Sequence, residues 1–175
     1  MSRVTDAADA AREAGPRDLV DRIIEEWAQT FPDVDVAPIG VFGRVQRIAA
    51  ISNAQLDRNL EEHGIGRSEF DVLGALVRAR RPLRASEVVS TTTLSGASIT
   101  KISESLSRRG LLERKKSERD GRVVLLWPTE AGRRLVDAEL PRRLRDDEDA
   151  LAALTDRERA TLAALLRKIS LAVGG

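Results

Sequence analysis

The sequence has no cysteine and a single histidine, and aromatic residues make up only 3% of its 175 positions. Without cysteine there is no disulfide framework, no thiolate nucleophile and no zinc-finger site. One histidine, no glycine-rich phosphate loop and no convergent acid–base set leave nothing to supply a nucleophile together with its base, so the chain reads as a non-enzyme without catalytic residues. Asp146, Asp147, Glu148 and Asp149 are consecutive, point in different directions on a helix and make a poor metal cage; neither metal nor cofactor is expected. No apolar run approaches the length of a membrane span. The first 17 residues alternate alanine with Asp, Glu and Arg and lack a signal-peptide core, so the expectation is a cytoplasmic protein with a flexible N-terminus (1–17) and no membrane partner.

What is present points to helix. Apolar residues make up 42% of the chain and charged residues 33%, with alanine, leucine, arginine and glutamate abundant, which predicts a mostly α protein with a sizeable core. The net charge of +1 does not announce a nucleic-acid partner, but its distribution is uneven. Between Arg108 and Arg122 seven basic residues stand against three acids, whereas from Asp137 to Glu158 eight acids face four arginines. That asymmetry fits a protein that docks one face on phosphate; two solvated helix faces would give the same pattern.

Apolar spacing then orders the chain. Leu19, Ile23, Ile24 and Trp27 predict a helix from Asp18 that Pro32 stops, and Ile39 through Leu60 a long one ending at His63-Gly64. Ser68, with Asp71 three residues on, predicts the cap of the next helix. After Pro82, a short helix (Ser86 to about Thr91), a threonine-rich turn and a helix from Ser95 to Arg109 have the outline of a helix-turn-helix. Asp120-Gly121 between two strand-like runs predicts a hairpin with arginines at its tip. Helix resumes at Thr129, and Thr155 to Glu158 caps a last amphipathic helix. His63 lies at a helix end, where a satisfied or solvent-facing imidazole is the plain reading.

This order of elements resembles the MarR family of winged helix-turn-helix regulators, with the most specific stretch at Asp120-Gly121-Arg122 followed by Thr129-Glu130-Ala131-Gly132, and a recognition helix from Leu94 to Lys101 continuing to Leu106 and Arg109-Gly110-Leu111. The resemblance covers roughly Asp18 to Ala172. It implies a mostly α winged helix with N- and C-terminal helical dimerisation regions (18–62 and 140–172), a DNA-binding lobe (66–135) and a small β-hairpin wing. Departures fall on Arg84, Val89 and Thr92, where a capping threonine, an alanine and an apolar residue are usual, which predicts a looser first helix of the motif.

On that reading, Ser95, Gly96, Ser98, Thr100 and Lys101 enter the major groove of a palindromic double-stranded DNA site read by a homodimer, while Ile99, Leu106 and Ile102 face the core. Arg119 and Arg122 at the wing tip reach a minor groove, and Lys115 and Lys116 add phosphate contacts. Trp27, Pro38 to Arg47 and Glu69 to Leu73 further resemble the urate-responsive PecS/HucR branch of the family, which implies a ligand site at Trp27, Asp71 and Arg114. Ile102 stands where that branch has a second arginine, removing a planar fork suited to an anionic oxygen, so the implied effector is a urate-like or phenolic anion rather than urate itself. Each of the three also has a structural reading: Trp27 as a core or interface aromatic, Asp71 as the cap partner of Ser68, Arg114 as a phosphate contact. A repressor released by such a ligand, an effector-independent DNA-binding protein and a protein-interaction module all remain compatible with the residues.

Overall fold

A computed structural model describes residues 16–117 and 123–174. Among them are helices α1 (Leu19–Thr30), α2 (Ile39–Glu61), α3 (Arg67–Ala79), α4 (Ala85–Thr91), α5 (Gly96–Arg108), α6 (Glu130–Ala150) and α7 (Asp156–Gly174), and strands β1 (Leu83–Arg84), β2 (Leu112–Lys116) and β3 (Val124–Pro128). None of the described helices is long and apolar enough to cross a membrane. The chain divides into two compact units, Met1–Asn53 and Ala54–Gly175, with the division inside α2.

In the first unit, Asp18 caps α1 by accepting from the amides of Val20 and Asp21 at 2.7 and 3.1 Å, while the Asp21 carboxylate takes the Asp18 amide at 2.8 Å. Arg44 of α2 then bridges both carboxylates, at 2.9 Å to Asp18 and 2.6 Å to Asp21, so the residues that start α1 also tie it to α2. Close packing adds to the tie. Val20 is buried, and a Cβ placed on Gly43 would come within 3.0 Å of its Cγ1. Trp27 and Phe31 stack at 5.5 Å, both about half exposed.

The second unit carries the main core, which Leu60, Leu73, Leu76, Val88, Ile99, Leu106, Leu112 and Leu126 fill from four helices and two strands. In α5 the buried residues Ile99, Ser103 and Leu106 recur at three- or four-residue spacing, as burial of one face requires. β3 lies between β1 and β2, antiparallel to both, with Leu83 opposite Leu126 and Leu112 opposite Pro128. The hairpin was legible in the sequence. β1 was not, because two residues carry no period.

One cap differs from expectation. Ser68 does not begin α3, and Asp71 is not its partner: Gly66 is the N-cap, and Glu69 reaches back to the Gly66 amide at 3.0 Å. The longer glutamate side chain spans that gap, and starting two residues earlier puts Phe70, Leu73 and Leu76 together in the core. The first helix of the motif, expected to be loosened at Arg84, uses the same device. Arg84 offers no acceptor side chain, but Glu87 accepts its amide at 2.8 Å and pairs with Arg81 at 2.7 Å. Thr92 donates to the Val88 carbonyl at 2.9 Å, which gives its hydroxyl a partner at the helix end.

Candidate nucleic-acid interface

Helix α5 is polarised across its width. Ile99, Ser103 and Leu106 are buried, Ile102 packs partly against the same core, and Ser95, Gly96, Thr100 and Lys101 face water. Ser95 caps its N-terminus by accepting from the Ser98 amide at 3.2 Å, and the two hydroxyls stand 2.9 Å apart. Thr100 donates to the Gly96 carbonyl at 3.1 Å, and a Cβ on Gly96 would meet nothing within 4 Å. These turns therefore present small polar groups, and helix-end amides favourable to anions, with no bulk in front of them. β2 adds Lys115 and Lys116 on an exposed strand. Arg119 and Arg122 lie outside the described residues.

The far end of α5 is closed by a left-handed turn. Gly110 has φ +72, its amide donates to the Ser107 carbonyl at 3.0 Å, and the Leu111 amide to the Leu106 carbonyl at 2.9 Å. A glycine carries that φ without the Cβ penalty other residues incur.

The three residues expected to bind a ligand are divided between the units. Trp27 belongs to the first; Asp71 and Arg114 belong to the second. Arg114 pairs at 3.0 Å with Glu104 of α5, so β2 and α5 are joined by an ion pair half open to solvent. The pairing of Glu104 is not visible in the sequence. Asp71, no longer a cap, has its carboxyl pushed above the ordinary value, because partial burial outweighs the opposing charges of Arg143 and Arg67, even though the residue as a whole is exposed. Burial of an ionisable group against the grain in this way is a mark of functional sites, though structural networks also produce it.

His63 is tied rather than free. Its Nε2 lies 2.9 Å from Oε1 of Glu139, which is 1% exposed and also receives Arg142 at 3.1 Å. The sequence signal for Glu139 was its place on the same stripe as Val136. In the acidic run, Asp147 pairs with Arg143 at 3.8 Å and Glu148 pairs with Arg159. Among the described residues no three such groups converge on a metal position.

Comparison with known proteins supports the MarR resemblance. Residues 63–123 match the model described as the MarR family. The chain is 27% identical over 152 residues to the HTH-type transcriptional regulator PecS of Dickeya dadantii, covering 86% of this chain and 92% of that one. Among solved structures, BpsR of Bordetella bronchiseptica, whose DNA binding is regulated by 6-hydroxynicotinic acid, superposes with a TM-score of 0.65 at 27% identity, over 75% of this chain and 98% of its own. PcaV of Streptomyces coelicolor, a transcriptional regulator solved with its natural ligand, gives 0.64 at 28% identity, over 78% and 95%.

Residues 63–123 carry the pattern of the MarR family.

On these similarities the chain is a DNA-binding transcriptional regulator and not an enzyme. The MarR-like Thr129-Glu130-Ala131-Gly132 stretch now has a physical account. Thr129 donates to the Gly110 carbonyl at 2.7 Å and accepts from the Gly132 amide at 3.1 Å, capping α6 onto the turn that ends α5. Gly132 lets α6 close on that turn, since a Cβ there would lie 2.1 Å from the Leu111 carbonyl oxygen.

The raised Asp71 carboxyl gives a stability prediction. An acid whose folded pKa exceeds its unfolded value loses stability as pH rises through the carboxylate range, and the full cost is present at neutral pH. Asp71→Asn is expected to raise the melting temperature at pH 7, with the gain disappearing below about pH 3, where both states hold the proton. A melting temperature that falls at pH 7 would show the charged carboxylate to be a net stabiliser.

Proposed function

We propose that this protein is a homodimeric repressor that reads a palindromic double-stranded DNA site and is released from it by a small aromatic or anionic ligand. The reading is carried by α5, whose core face is fully buried while its capped N-terminal turns are small, polar and open. Ser95, Gly96, Ser98, Thr100 and Lys101 then enter the major groove, Lys115 and Lys116 contact phosphate, and Arg119 and Arg122 carry the wing tip to the minor groove.

Two-fold symmetry is supported by the apolar surface each unit leaves open. Phe42, Val45, Ile48 and Ile51 of α2 are exposed in the first unit, and Leu144, Leu162, Leu165 and Leu171 in the second. A second copy of the chain buries such self-complementary faces, which assigns 18–62 and 140–172 to the dimer and 66–135 to the DNA-binding lobe.

For the ligand, the reading assigns Trp27, Asp71 and Arg114 and a urate-like or phenolic anion. The Arg114–Glu104 pair supplies the coupling. An anion that takes the Arg114 guanidinium displaces Glu104 and removes one tether between wing and recognition helix, and a ligand that prefers the untethered state shifts the population towards it.

The test is anisotropy of labelled DNA from the gene's own upstream region, titrated at several salt concentrations, with sedimentation to establish the dimer and a panel of aromatic acids added to the complex. Tight, salt-steep binding that competitor DNA does not erase, released by a panel member, supports the proposal. Binding that no ligand releases favours an effector-independent DNA-binding protein, and a monomer at micromolar concentration overturns the symmetric reading. Glu104→Gln removes the competing charge at Arg114. For a pair this exposed the gain is about 0.5 kcal/mol, so the ligand concentration at half release should fall about two- to threefold. An unchanged or higher half-release concentration would mean that Glu104 and the ligand do not compete.

A further inference from the structure

At the end of α5 away from its groove-facing turns, a cleft of about 480 Å3 opens between His63, the turn after α5 and the first two turns of α6. Leu111, Leu135 and Ala138 give it apolar walls, and Arg109 and Arg134 stand over it with the His63 imidazole. The volume suits a small organic molecule. The wall chemistry is that of a site for an amphipathic anion, with an apolar body and a group that accepts from a guanidinium fork.

The polar groups differ in how firmly they are held. Arg109 is braced, with Nη1 3.2 Å from Glu69 and Nη2 donating to the His63 carbonyl at 3.1 Å. His63 is fixed by the buried Glu139 at 2.9 Å. Arg134 is held loosely: its partner Glu130 is one helical turn away at 3.3 Å, and both side chains are about 70% exposed. Such a pair is worth little, so a ligand carboxylate in the cleft can take Arg134 at small cost.

The cleft lies on a different face of α6 from the side that reaches Asp71. Ala131, Arg134, Leu135 and Ala138 form one face of α6, whereas Arg143, whose charge acts on Asp71, continues the stripe of Gly132, Val136 and Glu139 around the helix. It is also separate from the DNA-reading turns: α5 has 13 residues, so its two ends lie roughly 20 Å apart.

We propose that this cleft is a binding site for small aromatic monocarboxylates, with Arg134 as the residue that recognises the carboxylate and Leu111, Leu135 and Ala138 receiving the ring. Because it is the chain's one histidine, His63 provides a single pair of imidazole ring signals in the proton spectrum, and these report on the cleft directly.

The experiment titrates the full-length protein, free of DNA and at constant pH, with benzoate and in parallel with benzamide. Benzoate is expected to move the His63 ring signals saturably, benzamide to bind at least five times more weakly, and Arg134→Ala to weaken benzoate about tenfold while leaving the melting temperature unchanged. Ala138→Leu, which narrows the cleft from a solvent-exposed position, should weaken both compounds. No saturable shift at tens of millimolar benzoate, equal binding of benzamide, or full benzoate affinity in Arg134→Ala would each overturn the site. With no DNA present, none of these outcomes bears on the repressor reading, and loss of DNA binding elsewhere does not bear on the cleft.

Discussion

Replacing Gly132 by alanine is expected to lower stability by about 3 kcal/mol, at the upper end of the cost of overpacking a buried site. The added Cβ would stand 2.1 Å from the carbonyl oxygen of Leu111, 3.1 Å from its carbon and 3.2 Å from Leu73 Cδ2. The first two are backbone atoms that cannot rotate away. Relief requires α6 to shift from the turn, and that shift stretches the Thr129 hydrogen bonds to Gly110 and Leu111 that anchor it. In a chain of this size the melting temperature should drop by roughly 6–12 °C. The contrast with Gly110 sharpens the test. Gly110 is required for its positive φ, so asparagine, which tolerates that conformation, should rescue most of the loss there. Gly132 has no positive φ, and asparagine or serine at 132 should be at least as damaging as alanine. A melting temperature for Gly132→Ala within two degrees of the parent would show that α6 is not pinned to the end of α5.

That contact bears on function because it lies between the recognition helix and α6. Gly110, Leu111, Thr129 and Gly132 form one short joint, and the cleft with Arg134 opens beside it. A change in the angle of α5 to α6 would act on this joint, where Thr129 bonds to Gly110 and Leu111.

How much of this could be read from the sequence depends on range. Local features were legible: the start of α5 at Ser95, the Thr155–Glu158 cap, the hairpin and the division of α5 into a core face and an open face each depend on residues a few positions apart. The helix-turn-helix could be placed, and with it the resemblance to the family. The Gly66–Glu69 cap was missed although it is local, because Ser68 and Asp71 compete for the same pattern and only burial of Phe70, Leu73 and Leu76 decides between them. Pairs made by tertiary packing were out of reach. Nothing near His63 announces Glu139, 76 positions away, and nothing near Arg114 announces Glu104, since α5 and β2 meet only after the Gly110 turn has been made. The same limit applies to Gly132: a glycine in the first turn of a helix gives no sign of the carbonyl that passes over it.

The largest functional effect is expected at Lys101. It lies in the second turn of α5, exposed, beside the small groups of Ser95, Gly96 and Thr100 that permit close approach to DNA. A lysine there adds a mobile positive charge to the favourable end of the helix dipole, which suits phosphate oxygens or a guanine edge. Loss of one such contact costs about 1–2 kcal/mol, and a symmetric dimer loses it in both half-sites. Lys101→Ala should therefore weaken operator binding by roughly 30- to 1,000-fold, and the slope of log K against log salt should fall by about two if both contacts are to phosphate. Comparison with random duplex separates the roles: equal loss on both DNAs marks a phosphate contact, and loss on the operator alone marks a base contact. Ile102→Ala is the control, because its side chain packs against the core and its removal should reduce the melting temperature before it alters the salt slope. Operator affinity within twofold of the parent in Lys101→Ala, with an unchanged slope, would remove this turn of α5 from the DNA interface.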